Sequence, residues 1–141
     1  MIRPNTMKKV TKTLLIVLSI AILFLIINIS SDRVMPWNKQ QAIITTLSWA
    51  GLEPLPESSS EIKVWKKGSM FSRQFIIEFT SDQNSIDKWL NENSRLKNMK
   101  PIIHSSSIVK YDIHPGENGA IGGFITIDKE LNKVTIDMSW S

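Results

Sequence analysis

Val134–Ser141 reads VTIDMSWS, and it alternates without a break: Val134, Ile136, Met138 and Trp140 fall on one side of an extended chain, Thr135, Asp137, Ser139 and Ser141 on the other. A period of two marks a strand half buried in a sheet. One apolar side and one polar side place that strand in an antiparallel sheet with one face on a core and the other in water. The same pattern recurs upstream. Ile121–Asp128 sets Ile121, Ile125 and Ile127 on one face with Gly123 between them, and Ile108–His114 aligns Val109, Tyr111 and Ile113. Phe75, Ile77 and Phe79 oppose Gln74, Ile76 and Glu78 within Phe71–Phe79, while Ile62 and Val64 alternate with charged residues. Lys66–Ser69 joins these last two strands as a hairpin.

Between the two groups of strands lies a helical stretch, about Asp82 to Asn93. Ile86, Trp89 and Leu90 give it an i, i+3, i+4 stripe suited to packing on a sheet, which makes Trp89 a core residue. Thr80 is the expected N-cap, with Gln83 completing a capping box and Asp82 in the first turn. Ser94–Ser107 is mostly polar and reads as a long loop, in which Ile102-Ile103 could form a short buried stretch. The expected fold class is therefore α+β: an N-terminal transmembrane helix followed by a small antiparallel sheet of four or five strands with one helix packed on it.

The transmembrane expectation rests on Leu14–Ile29, LLIVLSIAILFLIINI, in which 13 of 16 residues are Leu, Ile, Val or Phe and none is charged. Insertion of those side chains favours a bilayer by roughly 4–8 kcal/mol. With Thr13, Ser30 and Ser31 the run reaches about 19 residues and roughly 28 Å, the thickness of a hydrocarbon core. Of the 17 Lys and Arg, four (Arg3, Lys8, Lys9 and Lys12) precede the run, leaving 13 against 13 Asp and Glu from Asp32 onward. The net charge of +4 thus belongs to the segment before the helix, and the rest of the chain is neutral. A neutral domain argues against nucleic acid as a partner, and the flanking cations place the N-terminus in the cytoplasm. Residues 1–12 are then a cytoplasmic basic segment, 13–31 a signal anchor held in the membrane lipid bilayer, 32–60 a juxtamembrane helix with a Pro/Ser linker, and 61–141 an exported domain. A cleaved signal peptide is the alternative, with a cut after Ser30.

Pro36 is suited to open the juxtamembrane helix and Gly51 to end it, with Ile43, Ile44, Leu47 and Ala50 along one side. Trp37 and Trp49 would then sit at the lipid headgroups, or the helix would pack on the domain. There is no cysteine, which excludes disulfides, thiolate metal sites and a lipidated N-terminal cysteine.

The reading yields no catalytic, cofactor-binding or metal-binding residue and no cofactor. Asp112 and His114 share a strand face and have Glu117 nearby, but two histidines (the other is His104) without a firm third ligand fall short of a metal site. Gly116, Gly119, Gly122 and Gly123 match no phosphate-binding spacing and lie between strands, where Asn118-Gly119 suits a turn and Gly122-Gly123 a bulge. Arg95, Lys97 and Lys100 are scattered, as on a solvated face. Leu55-Pro56-x-Ser58, Phe75-x-x-x-Phe79, Trp89-Leu90 and the closing run from Ile127-Asp128 through Val134-x-Ile136 to Ser139-Trp140-Ser141 resemble small membrane-tethered bacterial proteins over Leu52–Ser141. That resemblance implies a tethered α+β domain and carries over no functional residue. The expected role is a single-pass membrane protein whose extracytoplasmic domain binds an envelope or membrane protein partner. The alternative is a cleaved secreted domain or a small envelope enzyme.

Overall fold

A computed structural model describes residues 4–30, 32–69 and 71–141, with side chains of the first helix described from Lys9 to Ile27. Arg3 of the basic segment and Ser31 at the end of the expected anchor lie outside the described residues. The chain forms two compact units that divide between residues 31 and 32.

The first unit is helix α1, Pro4–Ser30. Its stretch Lys9–Ile27 has a mean hydropathy of 2.7 and is long and apolar enough to cross a membrane; none of it is buried against protein. The hydroxyls in this run bond back to the preceding turn, Ser19 Oγ to the Leu15 carbonyl at 2.8 Å and Thr13 Oγ1 to the Lys9 carbonyl at 3.0 Å. An apolar medium requires this, because it offers no water to satisfy a polar group.

The second unit is an antiparallel sheet of six strands in the order β1-β2-β6-β5-β4-β3. These are β1 (Ser60–Gly68), β2 (Arg73–Thr80), β3 (Ile102–Ile103), β4 (Ile108–Ile113), β5 (Ala120–Asp128) and β6 (Lys133–Trp140). The cleanly alternating segment, β6, lies at the centre between β2 and β5, and its Val134, Ile136 and Met138 are fully buried. The strand count exceeds the four or five expected because of β3, two residues that pair with Lys110 and Val109. No period can be read from two residues. Ile102 and Ile103 are also exposed rather than buried, in the last strand of the sheet, which no other element covers among the described residues.

Helix α2, Pro36–Ala50, starts on proline and ends at Gly51, whose φ of 62° lets its N–H return to the Leu47 carbonyl. It packs across β1, β2, β6 and β5. Ala42, Ile43, Leu47, Trp49 and Ala50 face the sheet, and Trp49 stacks on Phe75 at 5.5 Å between ring centroids. Trp49 is thus a core residue, whereas Trp37 is 71 % exposed. Ile44, placed by sequence on the apolar side, points outward because the buried stripe is turned toward Thr46, whose hydroxyl bonds the Ala42 carbonyl. Ahead of α2 the chain runs along the free edge of β1: the Lys66 N–H donates to the Asp32 carbonyl at 2.8 Å, and Arg33 bridges Trp65 in antiparallel sense.

Helix α3, Gln83–Glu92, is capped by Asp82, whose carboxylate accepts from the Ser85 N–H at 2.9 Å. The expected cap, Thr80, remains in β2, and its hydroxyl pairs with that of Ser60. Ile86 and Trp89 are buried, with the Trp89 indole edge-on to Phe79 at 6.0 Å. A one-turn helix α4 (Ser94–Lys97) follows and buries Leu96. The expected bulge is present where the β5–β6 register shifts between Ala120 and Gly122.

Candidate binding groove

Two residues hold α3 to the segment before β1. The Trp89 indole N–H donates to the Pro54 carbonyl at 2.9 Å. Asn93, 1 % exposed, accepts from the Glu53 N–H at 2.7 Å and donates to the Trp89 carbonyl at 2.6 Å. With that end fixed, the helix faces β4 and β5 across a half-open groove of about 500 Å³. Gln83, Asp87, Leu90 and Asn91 (i, i+4, i+7, i+8) form the helical wall, while Val109, Tyr111 and Ile127 form the floor. Pro101 and Ile103 bring the edge strand β3 to its rim, and Lys129 also lines it.

The polar groups of the wall are organised along the helix. The Gln83 amide donates to the Asp87 carboxylate at 2.9 Å, and Asn91 donates to the Asp87 carbonyl at 2.9 Å. Tyr111 is half buried in the floor. Burial first, and then the negative charge of Asp87, push its phenol above the ordinary range, so it stays a neutral hydrogen-bonding group at physiological pH. An apolar floor with a few placed polar groups is the general character of a binding site. Beside it, β3 pairs with β4 on one side only. In an antiparallel ladder alternate residues turn their main-chain groups away from the partner, so one of Ile102 and Ile103 directs its N–H and C=O outward.

The residues singled out from sequence do not assemble here. His114 and Asp112 pair with each other on the opposite face of the sheet, where His114 also meets Phe124 edge-on at 5.7 Å. Lys110 Nζ stands 3.5 Å over the same Phe124 ring. Glu117 turns instead to Arg95 at 3.3 Å. Arg95 also donates to the Ala50 and Pro115 carbonyls, which makes it a clamp between the end of α2 and the β4–β5 turn rather than a solvated cation. Among the described residues no three or more His, Cys, Asp or Glu gather as a metal site would require. His104 lies exposed in the β3–β4 turn. Sequence reasoning missed Gln83, Asp87, Asn91 and Tyr111 as a group. The signal for the first three was a second stripe on α3, beside the core stripe and mixed in polarity; Tyr111 lies on β4 and shares its face with Val109 and Ile113.

Compared with protein-family models, curated proteins and solved structures, the chain matches none.

Proposed function

We propose that this protein is a single-pass membrane protein whose α+β domain, held outside the cytoplasm by α1 as an uncleaved anchor, binds an extended segment of another envelope or membrane protein in the groove between α3 and β4. The observation that carries this reading is a groove of mixed polar and apolar lining that opens beside β3, the last strand of the sheet. An extended peptide takes main-chain hydrogen bonds from a sheet edge and buries alternate side chains in an adjoining pocket. Leu90, Val109 and Ile127 supply the apolar contacts of such a pocket. Gln83, Asp87 and Tyr111 supply hydrogen-bonding groups, with Asp87 favouring a donor or a cation on the partner. The uncharged run Leu14–Ile29 within α1 and the four cations that precede that run support the anchor and its orientation. Trp37, exposed a few residues beyond the run, suits the headgroup level.

Ile103 is 73 % exposed, so Ile103→Asp leaves the core intact while charging the rim. Pull-down of the full chain from detergent extracts is expected to recover a partner that the Ile103→Asp chain loses, with both chains melting alike. Recovery of nothing above background, or equal recovery by both chains, would refute the groove as the binding site.

A further inference from the structure

We infer that the β1–β2 hairpin tip is a second membrane contact, inserting Phe71 among lipid headgroups and holding anionic ones with Lys67 and Arg73; this rests on the reading of α1 as a membrane anchor. Covalent connection sets the position. Only residue 31 separates the last residue of α1, Ser30, from Asp32. The Asp32 carbonyl accepts from the Lys66 N–H, and the Arg33–Trp65 bridge is antiparallel. The chain, followed back from Arg33 toward α1, therefore runs toward Lys67 and the hairpin tip. The chain from α1 thus joins the domain along the edge of β1, at the end of that strand nearest the hairpin tip.

The tip has the composition that this position calls for. Lys66–Arg73 reads KKGSMFSR, with three cations and no acid. Phe71 is 80 % exposed, the highest exposure of any large apolar side chain among the described residues. Lys67 and Arg73 are exposed on the flanking strand ends. The register places Trp140, 40 % exposed, directly opposite Arg73, so a second aromatic edge lies at the same end of the sheet. The far end differs. The β5–β6 end reads Asp128-Lys-Glu-Leu-Asn-Lys133, in which two acids balance two cations. An exposed aromatic flanked by cations is costly in water and favourable at an anionic interface, where basic residues gain from the surface potential.

The chain lacks cysteine, so single labels are clean. Ser69→Cys at the tip and Leu131→Cys at the opposite end would each carry a spin label on the full chain, reconstituted in phosphatidylcholine vesicles with or without phosphatidylglycerol. Vesicle flotation after a high-salt wash reads the anchor separately. The expectation is that every chain floats, and that in phosphatidylglycerol vesicles the label at 69 loses most of its access to an aqueous nickel reagent while the label at 131 keeps it. Adding Lys67→Gln and Arg73→Gln, or Phe71→Ser, should restore aqueous access at 69. A chain that floats with both labels equally aqueous overturns the hairpin contact and leaves the anchor standing. A chain that does not float overturns the anchor and this inference with it.

Discussion

Replacing Asn93 with Ala tests how the groove is held open. Asn93 is 1 % exposed, and its side chain joins α3 to the segment before β1 through bonds of 2.7 Å from the Glu53 N–H and 2.6 Å to the Trp89 carbonyl. The Trp89 carbonyl keeps the Asn93 backbone N–H at 3.1 Å, so it is not orphaned. Glu53 lies at the surface, where its N–H can recover water. The loss is then two hydrogen bonds and a small cavity, about 2–3 kcal/mol in all. For a domain of this size that lowers the melting temperature by roughly 8–15 °C. Urea unfolding of the full chain in a mild detergent, followed by emission of the buried Trp49 and Trp89, would measure it. Asn93→Asp keeps the acceptor for Glu53 but sets a buried carboxylate against the Trp89 carbonyl, and should cost at least as much as Ala at neutral pH. A loss below about 0.5 kcal/mol for Ala would refute the tie, because even one net hydrogen bond exceeds that.

Gly123→Ala should be worse tolerated than its size suggests. A Cβ there would stand 1.8 Å from the Asp137 carbonyl oxygen, so β5 and β6 must part at the centre of the sheet, costing about 1–3 kcal/mol or the fold itself in the same unfolding assay. Tyr111 titrates above its ordinary range when folded, so the unfolded chain loses its proton first and stability falls as alkali passes through the phenol range. Tyr111→Phe should flatten that limb of a stability–pH curve. Asp82 behaves oppositely: the Ser85 side chain and then its N–H hold the carboxyl below the usual range, so its contribution is present above the unfolded value and disappears as pH falls through the folded one. Asp82→Asn should make the acid limb shallower, as read by urea midpoints across that range.

Much of the fold was legible because it rests on periods. The alternation of Val134, Ile136 and Met138 marked the central strand, and Ile86 with Trp89 marked the face of α3 that meets the sheet. Pro36 and Gly51 bounded α2 through backbone chemistry that is local to each residue. What escaped depends on distant partners. β3 is a strand only because β4 lies beside it, and Arg95 is a clamp only because α2 and the β4–β5 turn converge on it. Thr80 had the chemistry of a cap, but the sheet claimed it first. The groove was illegible for a related reason. It lies where α3 stands off from β4, and no single segment encodes a gap between two elements.

The proposed function requires a domain that stays joined to α1 and faces outward. Intact mass of the protein extracted from washed membranes, measured before and after protease treatment of sealed cells, tests this most directly. The account predicts a chain that still carries Leu14–Ile29, with the domain from Asp32 onward removed by external protease. A mature chain beginning at Ser31 or later, recovered in the soluble fraction, would contradict it.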